Sequence, residues 1–353
     1  MNRIALLDVL RFLAAFTVVL YHYSFYGYAT NKTIGMEFQS LGSVFQYGHM
    51  GVELFFMISG FVILLSSENK TISHFIISRV TRLYPAYWVG VTLTTIVIVI
   101  YGSEMFNVSS YQYFINLTMI NEMFHVRNID GVYWTLFVEI RFYLLVFVLM
   151  LFRQMRFLKI YLLIWVIISI LYHFIKLPNL INFFFISNVA PFFIAGAVFY
   201  IIYKNQKTLI FDYLILFLSF MSAIMYLNQK FLGMEEVFNL QFNSNVFLLI
   251  LFSFYLIFYL LCKNILVIDK DKSTYKVLGE VTYPLYLIHA TLGYIIFINL
   301  HAYFNKYILL ISTIVFMIVI SYLIHVIFER KLGRAMKKVM FHFVDHFTYR
   351  AKR

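Results

Sequence analysis

Residues 4–22 read Ile4-Ala-Leu-Leu-Asp8-Val-Leu-Arg11-Phe-Leu-Ala-Ala-Phe-Thr-Val-Val-Leu-Tyr-His22. A run this long and apolar crosses a bilayer as a helix, because about 20 residues span the hydrocarbon core. The rest of the chain has the same character. Of its 353 residues, 62% are hydrophobic, 20% aromatic and 12% charged, with mean hydropathy +0.83. Soluble domains carry about 25% charge, so this chain cannot give every surface a polar coat. That excludes a soluble enzyme, a nucleic-acid binder and a disordered scaffold. Ten apolar stretches stand out: 4–24, 50–67, 84–102, 132–152, 158–175, 181–203, 209–227, 243–262, 278–299 and 307–329. The predicted fold class is an all-α integral membrane protein of about ten transmembrane helices.

The 28 Lys and Arg against 16 Asp and Glu give a net charge of +12. Cytoplasmic loops hold the positive excess of a membrane protein. With the N-terminus inside, 21 of the 28 fall on the inner side: Arg3, the Lys70–Arg82 segment, the Arg153–Lys159 segment, Lys204 and Lys207, the Lys263–Lys276 segment, and the tail from Arg330. The outer loops hold five: Lys32, Arg127, Lys176, Lys230 and Lys306. Both termini are therefore expected in the cytoplasm. Residues 1–330 are expected to form one membrane domain and 331–353 a basic cytoplasmic tail, either a topological anchor or a site for anionic lipid. The single cysteine, Cys262, excludes a disulfide framework and a thiolate metal cluster, and no metal site is expected. No small-residue cleavage pattern follows the first apolar run, so a cleaved signal peptide is not expected.

Ionisable groups within spans are costly and so are candidates for function. Arg11 and His22 are eleven residues apart, about three turns plus 20°, so they share a helix face about 16 Å apart along the axis. Asp8 sits one turn before Arg11, and the two form either a structural ion pair or part of a site. His22 lies among Tyr21, Tyr23 and Tyr26, as an interfacial histidine would. The second span opens Gly51-Val-Glu53-Leu-Phe-Phe-Met-Ile-Ser59-Gly60-Phe61. Glu53 enters the membrane at the depth of His22, where it would fix the imidazole tautomer, or it is a carboxylate on a helix dipole. In Ser78-Arg79-Val-Thr-Arg82-Leu-Tyr84-Pro85 the arginines at i and i+3 suit a phosphate or diphosphate, or serve the inside-positive bias. Gly131-Val-Tyr-Trp134-Thr-Leu-Phe-Val-Glu139 places Glu139 deep in the fourth span, with Arg141 pointing elsewhere. The ninth contains Tyr283-Pro284-Leu-Tyr286-Leu-Ile-His289.

Together these strings resemble the acyltransferase-3 family of bacterial membrane acyltransferases. The resemblance rests on the Arg-x10-His spacing of Arg11 and His22, the opening of the second span, Arg-x-x-Arg-x-Tyr-Pro at Arg79 and Arg82, Trp-Thr-Leu-x-x-Glu at Glu139, and Tyr-Pro-Leu-Tyr-Leu-Ile-His in the ninth span. Glu53 stands where aspartate is common, and Glu329-Arg330 lacks the proline that often follows the glutamate. The resemblance implies O-acylation, usually O-acetylation, of an extracytoplasmic carbohydrate with acetyl-CoA as donor, by an inner-membrane enzyme. It ties Arg11, His22, Arg79 and Arg82 to activity. The short tail, with no appended extracytoplasmic domain, directs the expectation away from peptidoglycan and towards O-antigen, capsule or exopolysaccharide, free or lipid-linked.

On this reading Arg79 and Arg82 hold the donor phosphates and Arg11 lines the path of the pantetheine arm. His22, oriented by Glu53, is the general base or a covalent acyl carrier, with Glu139 and Tyr283 holding the arm or the oxyanion. The rival is a transporter or flippase for a lipid-linked saccharide, which would also use buried Arg, Glu and His. A homo-oligomer is compatible with the sequence, and no nucleic-acid partner is expected.

Overall fold

A computed structural model describes residues 4–33, 35–175, 178–206, 208–268 and 273–350. Arg3, Lys176, Lys207, Lys270 and Lys272, counted above, lie outside the described residues, as do Lys352 and Arg353. The described residues are helical with no strand, and ten helices are long and apolar enough to cross a membrane. They are α1 Ala5–Ala29, α2 Gln39–Ser67, α3 Ile72–Tyr101, α4 Gly131–Leu151, α5 Gln154–Phe174, α6 Asn179–Asn205, α7 Ile210–Phe238, α8 Ser244–Cys262, α9 Thr274–Leu300 and α10 Lys306–Val344.

Three segments expected as connections are helical. Arg79 and Arg82 belong to α3, which starts at Ile72 behind a Thr71 cap that accepts from the His74 amide. Lys230 lies within α7, which runs on to Phe238. The basic tail continues α10 as helix Arg330–Arg350. Hydropathy marks only the apolar part of a helix, so charged turns at its ends drop out of such a reading.

Contacts divide the chain into two units. The first comprises Met1–Ala14, His49–Glu68 and Val138–Lys272; the second comprises Ala15–Gly48, Asn69–Phe137 and Ser273–Arg353. In the first unit α6 is the centre, with Ala190 through Ile202 all buried. Small residues let it meet α2 backbone to backbone. A Cβ on Gly60 would collide with the Phe193 carbonyl, and one on Gly196 with the Met57 carbonyl. Close approach of this kind drives helix association where there is no hydrophobic effect to do so. Phe193 fills the remaining space, stacking on Phe56 at 4.8 Å and on Phe142 at 4.4 Å. Polar links tie the outer helices: Lys159 to Asp212 at 2.5 Å, and Ser169 to Ser222 at 2.8 Å.

In the second unit α9 is the centre. The Tyr283 hydroxyl donates to the Leu83 carbonyl of α3 at 3.1 Å, and Tyr286 shares a 2.8 Å bond with Thr135. The connection before α4 is ordered by amide side chains. Asn116 donates to the Arg127 carbonyl and accepts from the Ile129 amide, and Asn121 donates to the Val126 carbonyl. This fixes Asp130, whose two carboxylate oxygens accept from the amides of Val132 at 3.1 Å and Thr291 at 2.8 Å.

Overpacking at the α2–α6 crossing should be costly. Gly196→Val is expected to lower unfolding free energy in detergent by about 3 kcal/mol. Gly233→Ala in α7, where an added Cβ meets nothing within 4 Å, should raise it by about 0.5–1 kcal/mol. Equal thermal midpoints for the two variants would refute this packing.

Candidate active site

His22 opens a five-residue π-helical segment, His22–Tyr26, closed by the Gly27 amide donating to the His22 carbonyl. Such a bulge adds a residue to the turn and re-aims the side chains around it, and is frequent at functional sites. Glycines hold the bulge in place. A Cβ on Gly293 would run into the Tyr23 ring, and one on Gly42 would sit 2.9 Å from the Ser24 carbonyl oxygen. With Gly293 bare, Tyr23 lies against α9 and its hydroxyl donates to the His289 carbonyl at 2.7 Å.

His22, at the start of the bulge, meets α9. His22 Nδ1 and the Tyr294 hydroxyl share a hydrogen bond of 2.5 Å. The His22 ring packs edge-on to that of His289, centroids 5.0 Å apart. His289 is fully buried, and its Nδ1 lies 2.9 Å from the Tyr286 carbonyl and 3.2 Å from that of Leu285. Carbonyls only accept, so His289 carries its proton on Nδ1. Its Nε2 is then a lone-pair acceptor, buried and without a hydrogen-bond partner among the described residues. The half-buried His22 likewise bonds only through Nδ1 among those residues, which leaves Nε2 for another group.

Lys32 brings the positive charge. Its Nζ lies 4.9 Å from the centroid of Tyr26 and 5.7 Å from that of Tyr294, and no carboxylate among the described residues pairs with it. Tyr26 is in turn edge-on to His22 at 5.2 Å. Burial pushes the Asp130 carboxyl up from its ordinary range, opposed by hydrogen bonds from Thr291 and Val132.

The other candidates sort by unit. Arg79 and Arg82 stand with His22 in the second unit, Arg79 half-buried with its Nε 3.3 Å from Ser78 Oγ, and Arg82 exposed. Tyr283 is in the same unit, one helix over from them. In the first unit Arg11 and Asp8 form an ion pair at 3.8 Å. Glu139 accepts from Ser59 at 2.8 Å and from Tyr143 at 2.5 Å, which joins two of the sequence motifs. Glu53, with no exposed surface, takes the Lys230 ammonium at 2.5 Å and the Tyr226 hydroxyl at 3.4 Å. Arg141 donates to the Phe183 carbonyl at 3.2 Å. Among the described residues no group of His, Cys, Asp and Glu could hold a metal ion.

A family model described as an acyltransferase domain, Acyl_transf_3, matches residues 4–330. The chain belongs to this acyltransferase family. A protein of Acidianus two-tailed virus named "putative acetyltransferase" is 26% identical over 257 residues, which cover 70% of this chain and 74% of the relative. No solved structure matches the chain. The acyltransferase is thus a multi-pass membrane enzyme that moves an acyl group from a donor to an acceptor. The transporter reading of its ten spans gives way to this one.

Sequence reasoning missed Tyr294, Lys32, Asp130 and Lys230. Tyr294 sits five residues beyond His289, at no helical repeat from it, and no motif in the sequence marks it as the partner of His22. Lys230 had a legible signal: a buried glutamate needs a cation, and a lysine close to the end of a span can reach back into it.

Glu53 in the acyltransferase makes a test of that pair. Lys230→Met is expected to cost about 3–5 kcal/mol by stranding a buried carboxylate, and Lys230→Met with Glu53→Gln should recover most of it. A Lys230→Met enzyme as stable as wild type in detergent would show that the pair does not form.

Proposed function

We propose that the enzyme transfers an acetyl group from cytoplasmic acetyl-CoA to a hydroxyl of a cell-surface polysaccharide outside the inner membrane, with His22 as general base. The observation that carries this reading is the state of His22, fastened at Nδ1 by Tyr294 with Nε2 open. If Nδ1–H donates to the Tyr294 oxygen, Nε2 bears the lone pair and can take a proton from an incoming hydroxyl. Tyr294 then does for His22 what a carboxylate does in a catalytic triad. Glu53 enters the reading as the counter-ion of Lys230.

The residues fit an acyl-CoA donor. Arg79 and Arg82 are guanidinium forks three residues apart at the start of α3, suited to nucleotide phosphates, with both termini and the 331–353 tail on the cytoplasmic side. Bound acetyl-CoA supplies the thioester carbonyl that is attacked. The chain's own part is as follows. Arg79 and Arg82 hold the phosphates. Helix α9 leads from Tyr283, beside α3, to Tyr294, beside His22, eleven residues or about 16 Å at standard rise, of the order of an extended pantetheine arm. His22 Nε2 takes the hydroxyl proton as the new C–O bond forms, and returns it to the departing sulfur. Lys32, held over Tyr26 and Tyr294, offsets the negative charge that grows on the carbonyl oxygen. Residues 1–330 form the membrane domain of the enzyme, in whose first unit Arg11 and Glu139 are held by their own partners. The aromatic outer connections suit a sugar acceptor such as O-antigen, capsule or exopolysaccharide.

NMR of the host's surface polysaccharide tests the proposal, comparing a deletion strain complemented with wild type, His22→Ala, Tyr294→Phe, or Arg79→Ala with Arg82→Ala. O-acetyl resonances should return with wild type, fall by about 10²-fold or more with His22→Ala, and be weakened with Tyr294→Phe. Wild-type acetylation by a membrane-inserted His22→Ala enzyme would overturn the proposal.

A further inference from the structure

The family match ends at residue 330, and the helix continues to Arg350. This last segment is basic, with Arg330, Lys331, Arg334, Lys337 and Lys338 in its first nine residues. It does not stand free of the fold.

Pro85 inside α3 has no amide to give, so the carbonyl four residues back, on Thr81, loses its helical partner. Gly333 packs on that carbonyl, and a Cβ there would sit 2.7 Å from the Thr81 oxygen. Eight residues further on, the Phe341 ring lies 5.7 Å from that of His74. Two contacts, Gly333 on Thr81 and Phe341 on His74, lay the segment antiparallel along the start of α3. Their spacings agree: eight residues on one helix and seven on the other are about 12 Å and 10 Å of rise. Residues at i, i+4 and i+8 share a face, so Lys337 lies on the α3-facing stripe midway between Gly333 and Phe341. That puts it level with residues 77–78, and its Nζ lies 6.0 Å from the Phe341 ring centroid. Lys70, Arg79 and Lys337 all act electrostatically on His74. No carboxylate among the described residues makes an ion pair with Lys70 or Lys337.

From this docking we infer that the C-terminal helix completes the donor site: Lys337, with Lys70, joins Arg79 and Arg82 in one cationic cluster that binds the phosphates of the acyl-CoA nucleotide. Positive charge gathered on one helix pair attracts an anion. A diphosphate with a third phosphate on the ribose supplies several negative charges within reach of one such cluster. The inference rests on the reading of Arg79 and Arg82 given above and extends it to a segment beyond the family match.

The test is steady-state kinetics of the full chain in nanodiscs, with acetyl-CoA and acetyl-pantetheine as alternative donors and the host polysaccharide as acceptor. Lys337→Ala should raise the KM for acetyl-CoA about fivefold, the size of one solvent-exposed charge contact. It should leave the KM for acetyl-pantetheine and the kcat for either donor unchanged, and Lys337→Arg should restore the acetyl-CoA value. Lys338→Ala removes the same charge about 100° around the helix and should behave as wild type. An equal rise for both donors, equal effects of Lys337→Ala and Lys338→Ala, or an effect present in anionic but absent in zwitterionic nanodiscs would overturn the inference in favour of a lipid-binding tail. If Arg79→Ala with Arg82→Ala raises the acetyl-CoA KM and Lys337→Ala does not, the inference fails alone. If neither does, the donor site itself has been misplaced.

Discussion

A charge in hydrocarbon must find a partner, and most of the first unit is arranged to meet that demand. Asp8 meets Arg11, Glu53 meets Lys230, Asp212 meets Lys159 and Glu68 meets Lys204. Glu139 collects two hydroxyls instead. Each link ties one helix to another or stiffens one turn, and small residues at the α2–α6 crossing let the backbones close around them. Groups satisfied in this way are poor reagents. Their value lies in fixing where helices stand.

The second unit follows the opposite rule. Its buried ionisable groups are mainly histidine and tyrosine, which a membrane tolerates neutral. Asp130 accepts two backbone amides and is held high in its protonation range by burial. Within that neutral setting His289 Nε2 has no hydrogen-bond partner among the described residues, His22 bonds there through Nδ1, and an ammonium, on Lys32, lies over two rings. Unspent hydrogen-bonding capacity in a low-dielectric site is what acyl transfer needs: a base for the hydroxyl proton and a charge for the carbonyl oxygen.

Much of this was legible from residue order. Apolar runs of span length gave all ten helices, because hydropathy reports the one constraint that cannot be evaded in a bilayer. Where helices begin and end was less legible. Arg79, Lys230 and the tail look like loops to hydropathy, yet Thr71 caps the helix that holds Arg79, Lys230 lies inside α7, and Gly333 packs the tail helix on α3. The candidate residues were found because charges inside spans are conspicuous. Their partners were not found, for a physical reason: a π bulge at His22 breaks the 3.6-residue repeat, and tyrosines such as Tyr294 are too common among 28 in the chain to single out. The helical repeat suggested Arg11 as the companion of His22. Within the second unit Tyr294 bonds His22, and Lys32 lies over the rings of Tyr26 and Tyr294.

The central claim is that a tyrosine-fastened His22 takes the proton. The measurement that reaches it most directly is the pH dependence of kcat for acetyl transfer from labelled acetyl-CoA, in nanodiscs, for wild type and Tyr294→Phe. A base that must be neutral gives a rate that falls on the acid side through a single ionisation. The account predicts that limb in wild type, and a displaced limb with a lower plateau in Tyr294→Phe. A wild-type rate with no acid limb, or one identical in the two enzymes, would contradict it.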